Sequence, residues 1–201
     1  MKRRYGRLAA LAVVALLSTM ASAQNPFDYC LLCHGANANG NYGIRAPKLS
    51  GMEPWYLERQ LENFAAGIRG TPAEDASGHE MWPVGLRVKQ ENVLKGAVAF
   101  IGTLESRKPA PTVTGNIARG RQIYQTCVAC HGAKGEGNAT LQTPALAARS
   151  DWYLVTQLRN FKLKLRGADE RDTLGAQMAA IGATIPDDQA IIDVVSYINT
   201  L

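Results

Sequence analysis

Apolar residues return along this chain at helical spacing, and they do so twice. Leu57, Leu61, Phe64 and Ile68 recur at i, i+4, i+7 and i+11, and so do Leu154, Leu158, Phe161 and Leu165, which is the stripe of an amphipathic helix. Pro54 and Asp151 suit the start of these helices, and Gly70 and Gly167 their end. A later stripe holds Leu94, Val98 and Ile101 in one place and Ile191, Val194, Val195 and Ile198 in the other, the second opened by the acidic Pro186-Asp187-Asp188. Loops rich in Gly and Pro lie between the stripes, and no stretch alternates with the period of a strand. The pattern predicts an all-α protein.

The two sets of stripes are one set written twice. Shifted by 97 positions without a gap, residues 24–104 fall on 121–201, with 26 of 81 positions identical. Chance would give roughly five at ordinary residue usage. The identities include Pro47 with Pro144, Trp55-Tyr56-Leu57 with Trp152-Tyr153-Leu154, Gln60 with Gln157, Asn63-Phe64 with Asn160-Phe161, and Arg69-Gly70 with Arg166-Gly167. Between the copies, residues 105–114 (ESRKPAPTVT) are polar with two prolines, as suits a semi-extended linker. The predicted organisation is a first domain over 24–104, a linker over 105–114 and a second domain over 115–201.

Residues 1–23 read differently. Lys2, Arg3, Arg4 and Arg7 precede an apolar run from Leu8 to Ala21, then the small-residue site Ala21-Ser22-Ala23. This is the pattern of a cleaved secretory signal peptide, and the run is short of the ~18 residues of a membrane span. The expected location is a bacterial periplasm. Cleavage would also remove four cations and no acid, reducing 22 Lys+Arg against 17 Asp+Glu to 18 − 17 = +1. No basic stripe is left for nucleic acid, and nothing later in the chain is apolar enough to span a membrane, though peripheral membrane association stays compatible with the sequence.

A domain of this size with few apolar side chains has a thin core, and something else is expected to fill it. The cysteines indicate what. All four lie in C-x-x-C pairs followed by His, as Cys30-Leu31-Leu32-Cys33-His34 and Cys127-Val128-Ala129-Cys130-His131. On a helical turn the three side chains of each group share one face. C-x-x-C-H is the haem c attachment pattern, with thiols adding to the vinyl groups and the imidazole reaching iron. A structural zinc does not account for the repeated Cys-His, a thioredoxin-like dithiol needs a βαβ setting, and a two-residue gap on a helix makes poor disulfide geometry. The second axial ligand is expected from Met81 (GHEM) and Met178 (GAQM), which share a register and are placed on a loop before the last helix. Met opposite His raises the reduction potential of the iron. His79, two residues before Met81 and matched by Ala176, is the competitor, and is read as a surface loop residue.

These motifs together resemble the dihaem class I c-type cytochromes of the cytochrome c4 family, across the whole chain after residue 23. The resemblance implies two tandem class I cytochrome c domains, each wrapped around one covalent haem c and facing each other across a pseudo-twofold interface. It implies that the Pro47 and Pro144 carbonyls orient the imidazoles of His34 and His131. It offers Arg69, Arg166, Gln60 and Gln157 as contacts for haem propionates, with a role at helix ends and on the surface equally open. One departure stands out: residues 116–126 read as a helical lead-in to the second Cys pair, where Gly120 permits a close crossing with the last helix. The first domain has only residues 24–29 for that role.

With both axial positions filled, outer-sphere electron transfer is the expected chemistry. The first reading is a periplasmic carrier between a quinol-oxidising complex and a terminal oxidase. The alternative is a cytochrome subunit of a dehydrogenase complex. A dihaem enzyme such as a peroxidase or thiosulfate dehydrogenase would need an open, His-labile or Cys-ligated haem, and no Cys is spare.

Overall fold

The computed structural model describes residues 25–90 and 92–201; the expected signal peptide lies outside them. The described residues are helical, with no strand beyond the isolated bridges Asn41–Ala46 and Asn138–Thr143. The first half carries α1 (Tyr29–His34), α2 (Pro54–Ala65), α3 (Ala76–Gln90) and α4 (Leu94–Gly102). The second carries α5 (Ile117–His131), α6 (Asp151–Lys162), α7 (Thr173–Thr184) and α8 (Asp188–Ile198). The two bridges are themselves 97 residues apart, so the duplication extends to the loops. No helix among the described residues is long and apolar enough to cross a membrane.

The halves differ where the sequence departs. In the second, α5 runs unbroken from its Asn116 cap, whose side chain accepts from Arg119 N, into the Cys-Cys-His turn. It crosses α8 at Gly120, where a Cβ would stand 2.0 Å from the Asp193 carbonyl oxygen. Tyr124, fully buried, stacks on Tyr197 with centroids 5.3 Å apart. In the first half a turn at residues 26–28 precedes the six-residue α1. The aromatic pair survives without the helix: Phe27 and Phe100, the counterparts of Tyr124 and Tyr197, meet at 6.0 Å. Phe27 also lies against Gly96, where a Cβ would come within 2.7 Å of its Cζ. Substituting one ring for a crossing helix leaves α4 with only Ala97, Val98 and Ile101 buried, whereas α8 buries seven residues from Ala190 to Ile198.

Two helix boundaries correct the sequence reading. α2 and α6 end at Ala65 and Lys162, short of Gly70 and Gly167, so Ile68 and Leu165 lie beyond the helices. Ile68 N donates to Asn63 O and Gly67 N to Phe64 O at 2.9 and 3.1 Å, and Leu165 and Lys164 repeat the pattern on Asn160 and Phe161 at 2.8 and 3.1 Å. This 6→1 and 5→2 pairing ends a helix with one left-handed residue, here Gly67 and Lys164. Met81 and Met178 lie within α3 and α7, not on loops. Asp75 and Asp172 cap these helices by accepting from Gly78 N and Gly175 N at 3.1 and 2.9 Å, satisfying amides that would otherwise be free.

Residues 105–116 carry no helix or strand and are fastened at both ends. Asn39 donates to Glu105 O at 2.8 Å and accepts from Arg107 N at 2.8 Å. Beyond them, the buried Asp151 carboxylate accepts from Thr112 N, Thr112 Oγ1 and Val113 N at 2.6, 2.7 and 2.8 Å.

Candidate cofactor sites

Each Cys-Cys-His group closes a helix, and the loop after it folds back to set the imidazole. Gly35 and Gly132 have φ near +80°, which turns the chain off the helix. Gly40 N and Gly137 N then bond back to the carbonyls of His34 and His131 at 2.7 and 2.9 Å. A Cβ on Gly40 or Gly137 would stand 2.9 Å from Lys48 N or 2.6 Å from Ala145 N, so glycine is what lets the returning strand of loop approach. That approach brings Pro47 O to 2.7 Å from His34 Nδ1 and Pro144 O to 2.8 Å from His131 Nδ1. The bond fixes each ring and leaves Nε2 for a ligand. His34 Nε2 is buried without a partner. Burial pushes both imidazoles below their usual pKa, against the opposing pull of the proline carbonyls. Both are therefore neutral donors at pH 7.

Two cavities, of about 170 and 180 Å³, receive these groups. Cys30, Cys33, His34 and Met81 line one; Cys127, Cys130, His131 and Met178 line the other. No disulfide joins the cysteines, and burial pushes the Cys30 and Cys127 thiols up, the reverse of what a redox dithiol needs. His79 lies outside the cavity lining, with its Nδ1 3.1 Å from Gly70 O. It is exposed on α3 rather than on a loop.

Each cavity is completed by the other half. Tyr153 and Gln157 line the first cavity, and Tyr56 and Gln60 line the second. Between them stands a cluster that Arg69 and Arg166 build. Arg69 donates to Gln60 Oε1 at 2.8 Å and across to Gln157 Oε1 and the Tyr153 hydroxyl at 3.1 Å each. Arg166 mirrors it, donating to Gln157 at 2.7 Å, Gln60 at 2.7 Å and the Tyr56 hydroxyl at 3.0 Å. Four of these residues were candidates from the sequence, and their buried place at the interface excludes a surface role. Tyr56 and Tyr153 were missed, although each precedes its Gln by four residues on one helical face. Among the described residues no carboxylate bonds either guanidinium, and both Nε atoms are buried without a partner. Burial alone would raise the Tyr56 phenol, but the guanidiniums of Arg166 and Arg69 outweigh it and pull it down. Apolar cavities with paired thiols, a free imidazole nitrogen, a thioether and a cationic, under-satisfied end fit a haem.

A helical domain with this constellation is a c-type cytochrome. The cytochrome c family model matches residues 117–201. The chain is 31% identical over 151 residues to a thiosulfate dehydrogenase electron acceptor of Stutzerimonas stutzeri, covering 73% of this chain and 68% of that protein. It is 27% identical over 182 residues to cytochrome c4 of Thiocapsa roseopersicina, covering 86% of each. Its fold matches the structure of Acidithiobacillus ferrooxidans cytochrome c4 with a TM-score of 0.66 at 24% identity, over 86% of this chain and 98% of that one. The chain belongs to the cytochrome c4 family of class I c-type cytochromes, with two tandem domains and covalently bound haem c, and its chemistry is electron transfer.

Proposed function

We propose that the protein is an exported dihaem carrier of single electrons, holding one haem through Cys30 and Cys33 and the other through Cys127 and Cys130. His34 and Met81 ligate the first iron, and His131 and Met178 the second. The observation that carries this reading is the repeated cavity in which a Cys pair, an oriented imidazole and a Met converge. Haem c supplies a one-electron couple when bound. The chain's part is to fill both axial positions, exclude substrate from the metal and keep one geometry in both oxidation states. Arg69 and Arg166, with their unpartnered Nε atoms, would hold the propionates. The protein is then a carrier and not a catalyst.

The donor is a periplasmic quinol-oxidising or dehydrogenase complex, and the acceptor a terminal oxidase or its equivalent. Similarity to a relative named as an electron acceptor of thiosulfate dehydrogenase favours the dehydrogenase as donor. Intact mass of the holoprotein should exceed that of the polypeptide by two haems. The oxidised protein should show a Met-to-iron charge-transfer band, about half of which is lost in Met81→Ala and half in Met178→Ala. A single haem, or a band that Met81→Ala leaves whole while His79→Ala removes it, would overturn the assignment.

A further inference from the structure

The peptide unit joining Pro144 to Ala145 is hydrogen-bonded on both sides. Its carbonyl accepts from His131 Nδ1 at 2.8 Å, and its N–H donates to Glu53 Oε1 at 2.9 Å. Glu53 belongs to the other half, where its backbone caps α2. Its second oxygen is held by Arg149 at 3.3 Å, itself fixed through Gly51 O at 2.9 Å and Ala145 O at 3.3 Å. Among the described residues the first half has no such arrangement. Ala145 corresponds to Lys48 and Glu53 to the neutral Ser150. The buried Lys48 ammonium crosses instead to Ala148 O at 3.1 Å. The two proximal carbonyls thus belong to peptides with unlike neighbours, a carboxylate in one case and a lysine in the other.

We propose that Glu53 is a positioning residue that lowers the reduction potential of the second-half iron, acting across the domain interface through the Pro144–Ala145 peptide. This rests on His131 being an axial ligand. A carboxylate accepting the peptide N–H polarises that amide and places more negative charge on Pro144 O. The His131 Nδ1–H bond strengthens, Nε2 becomes a richer donor, and the ferric state gains more than the ferrous. Arg149 offsets part of the charge but bonds the opposite oxygen.

Glu53→Gln in the full holoprotein tests this, since the amide oxygen can still accept from Ala145 N while the charge is gone. The readouts are a potentiometric titration that resolves the two haems by their NMR signals, and the His131 Nδ1 proton resonance. At the wild-type midpoint of the second-half haem, the variant should raise its reduced-to-oxidised ratio about threefold or more, move the first-half haem by less, and shift the His131 proton upfield. No change, equal change at both haems, or a changed potential with an unmoved His131 proton would overturn the relay. Arg149→Gln removes the cation from the same carboxylate and should move the ratio in the opposite direction. A change in the same direction would mean that both variants merely loosen the interface, and would overturn the proposal too. Absence of hyperfine-shifted His131 ring signals in the oxidised wild type would instead overturn His131 as ligand.

Discussion

Gly120→Ala and Gly96→Ala place the same methyl group at the two versions of one packing site, and the structure predicts different costs. At Gly120 the added Cβ would stand 2.0 Å from Asp193 O, 2.6 Å from Asp193 C and 3.0 Å from Tyr197 Cβ. Two of the three are α8 backbone, so relief requires the helices to separate. They are pinned by Asn116 N and Arg119 on the buried Asp193 carboxylate, at 2.8 and 3.1 Å. Overpacking of this kind costs typically about 1–3 kcal/mol, occasionally more, against a gain of about 1 kcal/mol for Ala over Gly in a helix. The hard backbone contacts argue for the upper end, leaving a net loss of about 2 kcal/mol. At Gly96 the nearest atom is Phe27 Cζ at 2.7 Å, the far end of one side chain in a turn. That ring can tilt, so the helix gain nearly cancels the cost and the net change is within about 1 kcal/mol. Thermal unfolding followed at each domain's haem signals would show the second domain lose roughly 8–16 °C in Gly120→Ala. The first domain should lose little in Gly96→Ala. Equal losses would refute the claim that α5 and a lone ring cover the last helix in physically different ways.

Hydrogen exchange should find the amides of Leu94–Gly102 less protected than those of Asp188–Ile198, because α4 buries three residues where α8 buries seven; comparable protection would contradict it. Acid should release the linker. Burial raises the Asp151 carboxyl, but bonds from Thr112, Val113 and Asn199 outweigh it and hold its folded pKa below the ordinary value. The stability it contributes is therefore present above the unfolded value of about 3.9 and lost as pH falls through the folded one. The protection factors of the Thr112 and Val113 amides, measured from pH 6 downward against the falling intrinsic exchange rate, should drop below about pH 4, and Asp151→Asn should be less protected at neutral pH with a flatter acid limb.

The fold class and the Cys, His and Met candidates were legible because repetition supplies an internal control: a motif present twice at one spacing separates signal from accident. Helix ends were less legible. The residue that stops α6 is Lys164, not a glycine, and what stops it is the Asn160 carbonyl left to accept Leu165 N. Met81 and Met178 looked like loop residues because glycines surround them, including Gly78 with Gly85 and Gly175 with Gly182. Gly85 and Gly182 serve contact between helices, a Cβ at Gly85 coming within 2.6 Å of Phe64 Cβ, whereas Gly78 and Gly175 make room for the capping carboxylates, a Cβ there coming within 2.1 Å of Asp75 Oδ2 or 2.0 Å of Asp172 Oδ2. Asp75 and Asp172, repeated three residues before Gly78 and Gly175, were the readable sign of a cap. The interface cluster lay beyond periodicity altogether, since nothing local in the sequence says that Arg69 meets Gln157.

That cluster also bears on why the halves stay together. Two guanidiniums buried without a carboxylate are a costly arrangement, because a charge removed from water needs close partners to offset the loss of hydration. Tyr and Gln oxygens supply part of that compensation from both sides, and every cross-domain bond in the set uses a residue whose twin makes the reciprocal bond. With haem in each cavity, propionates at the unpartnered Nε atoms would complete it. An anion bound by the docked halves but not by separated ones favours docking by the difference in affinity. Capture of the propionates by the guanidiniums and closure of the interface would then be linked equilibria, and the same helices α2 and α6 that line both cavities would carry the linkage. Duplication gave each half the same cavity; the placement of Tyr56, Gln60, Tyr153 and Gln157 made each cavity depend on the other half.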